Sequence, residues 1–418
     1  MKKTIAILLV AVLAMCSVFA EIALGGEAVG KFEGNFDDKT AKFVNAPDVK
    51  LTLDANSSEK VYEGDVYAGI KATLKFKIGT AGDVKVLAVD KFEINEAYIT
   101  NGTWKVAILS AAKTPTFAKG WETAVTAKDE DKSVVLTKEV GNKYTVDGKS
   151  VSIPGVTVEY AGWKAGVGLD VKFDGAKNGL VSLATPSFTF DAVSVKAGAG
   201  ASNLDGKLNI GGGAEVKYAT DAFSATVSGD VVYGKDGNTF DAAVAAKVAV
   251  APVTVDAFFA TKTDLMNKVK TYADRFFDGK GEVKNYLSAK VAGSFAIKEQ
   301  PVTVTLVGLD LINKQYLDLE AKSTFKGVET YLNGGYEVKA KLTHLGVGAA
   351  YTMDKVGKIY GGVGMSITTK VDTLKAKVGI ENKTLVSGAT LAAEYATGNL
   401  VAETNKFGKI TASAKITF

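Results

Sequence analysis

The segment from Gly64 to Gly79 reads GDVYAGIKATLKFKIG, in which Val66, Ala68, Ile70, Ala72, Leu74, Phe76 and Ile78 alternate with Tyr67, Lys71, Thr73, Lys75 and Lys77. A period of two is the signature of a β-strand with one apolar and one wetted face. The last ten residues, KITASAKITF, repeat it. Ile410, Ala412, Ala414, Ile416 and Phe418 fall on one side, and Lys409, Thr411, Ser413, Lys415 and Thr417 on the other. The pattern returns over 156–160, 163–173, 188–196, 284–297, 300–310, 328–342 and 374–380. A soluble strand hides its apolar face in a core, and chain ends normally fray rather than finish on a large apolar group. Phe418 therefore asks for an apolar solvent outside the chain.

Between the runs stand turn dipeptides that accept positive φ: Asn101-Gly102, Asp147-Gly148, Asp174-Gly175, Asn178-Gly179, Asp205-Gly206, Asp236-Gly237 and Asn333-Gly334. Short connections make successive strands antiparallel neighbours. A single large antiparallel sheet must close or split to hide its edges, and no linker or composition shift divides this one. The expected fold is all-β: a transmembrane antiparallel β-barrel of about 20 strands, within a range of roughly 16 to 24, over residues 21–418.

One segment breaks the period. In Thr263 to Phe277 the apolar residues Leu265, Met266, Val269, Tyr272, Ala273, Phe276 and Phe277 follow helical spacing, with Thr263 available as N-cap. A short amphipathic helix inserted between strands is expected there.

Residues 1–20, MKKTIAILLVAVLAMCSVFA, have two lysines, an apolar stretch and a small-residue site at Val18-Phe19-Ala20, the form of a cleaved secretory signal. Removing these 20 of 418 residues leaves 398 and takes away the single cysteine, Cys16, so neither disulfides nor thiol chemistry are expected. It also removes Lys2 and Lys3, leaving 48 basic residues against 46 acidic. That near balance speaks against a nucleic-acid partner.

Catalytic chemistry is poorly supplied. His344 is the one histidine, so no His pair can hold zinc and no particular serine or acid is placed beside it. Glycine clusters such as Gly211-Gly212-Gly213 and Gly361-Gly362-Val363-Gly364 lack the Lys-Ser/Thr pair and helix of a phosphate loop, and read as small residues on strand faces. No cofactor is implied. The lysines carry the functional content: Lys71, Lys75 and Lys77 share one strand's wetted face, as do Lys339 with Lys341, and Lys375 with Lys377. A charge on the lipid side at mid-bilayer would cost about 2 to 4 kcal/mol, so these lysines are expected to line a water-filled lumen or its rims.

Gly408, the alternating apolar residues including Ile416, and the terminal Phe418 together resemble the C-terminal assembly signal of bacterial outer-membrane barrels. That resemblance implies reading by the barrel-assembly machinery. The stretch INEAYITNGTWKVAILSAAKTPTFAKGW, Ile94 to Trp121, resembles a porin pattern of strand, short turn, return strand and Thr-Pro-Phe. With the Ala-Phe-Phe of residues 257–259 and the segment to Phe277, it is similar to the major outer sheath and treponemal repeat proteins of spirochaetes. This implies a surface-exposed porin, in some members also an adhesin, and transfers no catalytic residue.

The expected function is an outer-membrane porin, a passive channel for small hydrophilic solutes or ions, embedded in outer-membrane lipid and compatible with a homo-oligomer. The alternative is a surface adhesin or structural protein for which the barrel is an anchor.

Overall fold

The computed structural model describes residues 21–43, 48–56, 66–81, 84–108, 117–118, 143–146, 149–152, 155–171, 177–204, 206–234, 238–265, 268–270, 275–278 and 281–417. Alternation becomes strand almost everywhere. The first strands are β1 (Glu21–Asn35), β2 (Thr40–Phe43), β3 (Asp48–Asn56), β4 (Tyr67–Ala81), β5 (Val84–Thr100) and β6 (Trp104–Ile108). A small separate hairpin, β7 (Lys143–Val146) with β8 (Lys149–Ser152), precedes β9 (Gly155–Tyr160), β10 (Trp163–Val171), β11 (Lys177–Ala184), β12 (Phe188–Phe190) and β13 (Val193–Leu204). Then come β14 (Lys207–Ala219), β15 (Phe223–Gly234), β16 (Thr239–Val250) and β17 (Val253–Leu265), followed by a second hairpin of β18 (Lys268–Lys270) and β19 (Arg275–Asp278). The remainder are β20 (Gly281–Ile297), β21 (Gln300–Leu309), β22 (Tyr316–Phe325), β23 (Val328–Glu337), β24 (Leu342–Met353), β25 (Gly357–Ile367), β26 (Val371–Asn382), β27 (Ala389–Ala396) and β28 (Lys409–Thr417).

Twenty-four of these strands form one antiparallel sheet. β2 and β3 take consecutive stretches of the same edge of β1, and β11 and β12 do the same along β13. Each such pair counts once, so 24 strands occupy 22 positions. The first strand is paired with β3 on one side and with β28 on the other, from Glu27↔Thr417 to Asn35↔Lys409. The pairings thus return to their start, and an even number of positions lets antiparallel neighbours meet without an unpaired edge.

Register separates the faces. In β24, Leu345, Val347 and Tyr351 are exposed while His344, Gly346, Gly348 and Ala350 are buried. In β28, Ile410, Ala412, Ala414 and Ile416 point outward, and Lys409, Thr411, Ser413 and Lys415 inward beside Glu33, Lys31 and Glu27 of β1. The outward face is therefore the apolar one, the inverse of a soluble protein, as expected where lipid is the outer solvent. Exposed aromatic residues gather at both rims: Tyr160, Trp163, Phe188, Phe325 and Tyr351 at the rim holding residues 21 and 417, and Tyr233, Phe240 and Tyr336 at the other. Twelve residues, the length of β15 and β16, at about 3.4 Å each and tilted about 45°, rise about 29 Å, enough for an apolar band of roughly 25 Å.

The rims differ. At the terminal rim, two-residue turns with positive φ are common: Ala161-Gly162, Lys298-Glu299 and Lys326-Gly327. The opposite rim carries the longer connections 109–154, 266–280 and 397–408.

Three expectations are corrected. The segment 263–277 contains no helix among its described residues. Thr263 and Leu265 continue the β17 ladder against Val283 and Gly281, and Val269 pairs with Phe277 in the small hairpin. A lone helix of this length is marginal by itself, whereas the β20 edge offers backbone partners at once. Next, Asn178-Gly179 and Asn333-Gly334 lie inside β11 and β23 rather than in turns. Finally, the run 328–342 is two strands, because Val338 to Lys341 form a turn with Lys341 at φ 51°.

Candidate functional site

The lumenal wall is built from the inward residue of each strand, and register brings lysine against acid all round it. Lys105 Nζ lies 2.5 Å and Lys71 Nζ 3.7 Å from the Glu96 carboxylate. Further round, Lys196 meets Glu215 at 2.9 Å, Lys290 meets Asp256 at 3.1 Å, and Lys377 meets Glu394 at 3.5 Å. Across the seam, Lys409 meets Glu33 at 3.3 Å and Lys415 meets Glu27 at 2.7 Å. Pairs open to water contribute little stability, about 0.2 to 1 kcal/mol each. Their larger effect is on the lumen's potential, since a lysine with a carboxylate beside it attracts anions weakly.

The candidate lysines divide accordingly. Lys71, Lys75, Lys375 and Lys377 stand on the inward face; Lys75 is exposed there, opposite Lys50 and Lys91 in register. The side chain of Lys77 lies outside the described residues. Lys339 and Lys341 do not line a strand: both sit in the β23–β24 turn, where the wall has already ended, and Lys339 Nζ donates to the Ile312 carbonyl at 3.5 Å. Ile416 is outward, Gly408 precedes β28 at φ +69°, and Phe418 lies outside the described residues.

Lysine counting had no way to find the next feature, inward tyrosines seated on glycines. A Cβ on Gly69, Gly379 or Gly335 would come within 2.3, 2.4 or 2.2 Å of Tyr98, Tyr360 or Tyr316 respectively. Gly69 and Gly379 directly face those tyrosines across the ladder. Lys105 Nζ sits 4.4 Å from the Tyr98 ring centroid and Lys377 Nζ 5.7 Å from that of Tyr360, whose hydroxyl donates to Glu394 Oε2 at 2.8 Å. Glycine thus lets a large ring lie against the wall instead of across the lumen.

One sector of the lumen is covered. Phe117 N donates to both Asp230 carboxylate oxygens at 3.0 and 2.9 Å, and Ala118 N donates to Oδ2 at 2.7 Å. Phe117 lies over Gly213, where a Cβ would fall 2.9 Å from its ring. Ala118 joins Val232, Ala243, Phe258, Ala260, Tyr286, Val307, Leu309 and Tyr316 in a buried apolar cluster on the inward side of β15–β22. Residues 117–118 of the β6–β9 connection therefore lie on the inward side of the wall. Of the triplet Gly211-Gly212-Gly213, read from sequence as small residues on a strand face, Gly213 is the one that leaves room for Phe117.

Beside that cluster lie Asp318, Glu320 and Asn333, joined by hydrogen bonds to Tyr316 and Tyr331, with the buried His344 ring centroid 5.8 Å from that of Tyr316. Among the described residues, no group of three or more His, Cys, Asp or Glu is arranged to hold a metal ion.

No protein-family model matches the sequence, and no curated protein matches it. Among solved structures, the chain is similar to the P pilus usher PapC translocation pore, at 8% identity over 95% of this chain and 99% of that one, TM-score 0.39. It is also similar to Pseudomonas aeruginosa OccK5 (OpdH), at 9% identity over 96% and 99%, TM-score 0.38, and to a Rhodopseudomonas blastica porin mutant, at 11% identity over 95% and 100%, TM-score 0.33.

Proposed function

We propose that the chain is an outer-membrane porin that passes small hydrophilic solutes or ions by diffusion, discriminating by width and lumenal charge without a turnover cycle. The observation that carries this is the reversal of faces: a closed antiparallel wall, apolar and aromatic-rimmed outside, charged and small-residued inside. Sheets of this size enclose an aqueous interior unless it is filled. The residue 1–20 signal and the terminal aromatic strand support export across the inner membrane and delivery by the barrel-assembly machinery. The resemblance to spirochaete outer sheath proteins supports a surface-exposed member of that kind, and a homo-oligomer is part of the same reading.

The longer connections 109–154, 266–280 and 397–408, all at one rim, favour a second reading as adhesin or structural anchor. Planar-bilayer recordings of the purified protein decide between them. Stepwise conductance supports the porin, and a barrel that inserts and never conducts supports the anchor.

A further inference from the structure

We infer that the wall between β22 and β23 holds a divalent cation of the hard, oxygen-seeking kind, such as calcium, bound by Asp318, Glu320 and Asn333. Asp318 and Glu320 stand two residues apart on β22 and so share its lumenal face, and Asn333 is the register partner of Glu320. The three side chains are 1%, 2% and 1% exposed. Asp318 Oδ1 accepts Asn333 Nδ2 at 2.9 Å and the Tyr316 hydroxyl at 3.4 Å, and Glu320 Oε1 accepts the Tyr331 hydroxyl at 3.3 Å. That leaves Asp318 Oδ2, Glu320 Oε2 and Asn333 Oδ1, all buried and all without a hydrogen-bond partner.

Several other acids on the wall have lysines. Glu27, Glu33, Glu96, Glu215, Asp256 and Glu394 each form an ion pair, and Asp318 and Glu320 form none among the described residues. The nearby cations act on Glu320 through space without pairing with it: Lys290 pairs with Asp256 at 3.1 Å, and Lys322 lies over the Tyr331 ring at 5.6 Å. A buried carboxylate oxygen with no partner is costly, and a cation placed among three such oxygens removes the cost. Two carboxylates balance a double charge, and the N–H bond from Asn333 to Asp318 holds the amide so that its carbonyl supplies the third oxygen. Carboxylate and amide oxygens without sulfur suit Ca²⁺ or Mg²⁺, with water completing the shell.

The test uses the full-length protein in detergent, with Tb³⁺ standing in for Ca²⁺, because Tyr316 and Tyr331 touch the two carboxylates and can sensitise its emission. Saturable emission displaced by Ca²⁺, together with a Ca²⁺-dependent rise in unfolding temperature, is expected. Asp318→Asn combined with Glu320→Gln keeps the shape and is expected to weaken Ca²⁺ at least 10- to about 100-fold. If that variant does not fold, Asn333→Ala decides, with an expected loss of about tenfold. Absence of sensitised emission from the unaltered protein, or equal Ca²⁺ affinity in the variant that folds, overturns the site. Cation binding is read on the closed barrel, so its failure is separable from a failure to conduct.

Discussion

The ring of Tyr360 occupies the space that a side chain on Gly379 would need, across the β25–β26 ladder, while its hydroxyl bonds Glu394 on the next strand at 2.8 Å. Three strands are thereby tied by one side chain that stays against the wall. Gly379→Val should displace the ring into the lumen, cost roughly 1 to 3 kcal/mol by overpacking, and lower single-channel conductance. Gly30, where an added Cβ on the outward side would meet nothing within 4 Å, is the control. Gly30→Ala should stay within about 0.5 kcal/mol. Urea unfolding midpoints of the two variants check the contrast, and equal midpoints would count against the packing argument.

Asp230 holds residues 117–118 by two successive backbone N–H groups. Asp230→Ala leaves those donors without their acceptor and should weaken the attachment by about 1 to 3 kcal/mol. Conductance steps should become larger or noisier at unchanged insertion. Steps identical to the unaltered protein would mean that residues 117–118 do not narrow the path.

The same device closes the seam at the loop rim, where Asp37 accepts Phe407 N at 2.9 Å and Gly408 N at 2.7 Å. These partners are 370 residues apart in sequence, so the bond joins the first turn to the approach of the last strand. Asp37→Ala should lower the temperature at which the folded band converts to the unfolded one on a gel, again by the equivalent of about 1 to 3 kcal/mol.

Charge reversal should follow position rather than residue type. Lys75→Glu, on the exposed inward face of β4, should move the reversal potential toward cations. Lys339→Glu, in a rim turn, should move it much less. Equal shifts would show that the inward face is not the conducting one.

In β28, Ala414 faces outward and Ser413 inward, opposite Lys31 and Ala392. Ala414→Arg places a charge against hydrocarbon, at up to about 2 to 4 kcal/mol, while Ser413→Arg places it in the wetted interior. Heat-modifiable protein in the membrane fraction should fall far more for the first. Comparable yields would mean that this face does not meet lipid.

The period of two determined strand and face wherever it ran along a single strand, and made closure the expected way to hide the sheet's edges. Where KITASAKITF alternates, Ile410 to Ile416 must share one side whatever the neighbours do, because the pleat is a local property of the backbone. The turns were less legible, since Lys298-Glu299 and Lys326-Gly327 adopt positive φ without an Asn-Gly or Asp-Gly signal, imposed by the strands they join. The 263–277 segment misled for the opposite reason: helical spacing is a weak preference over so short a run, and a waiting ladder overrides it. What only the tertiary structure decided is which residues meet across strands. Register sets Lys377 near Glu394, Tyr360 on Gly379 and Asn333 against Glu320, and the fold sets Phe117 on Asp230. Those relations depend on the stagger between strands and the path of a connection, quantities that no periodicity along one strand contains.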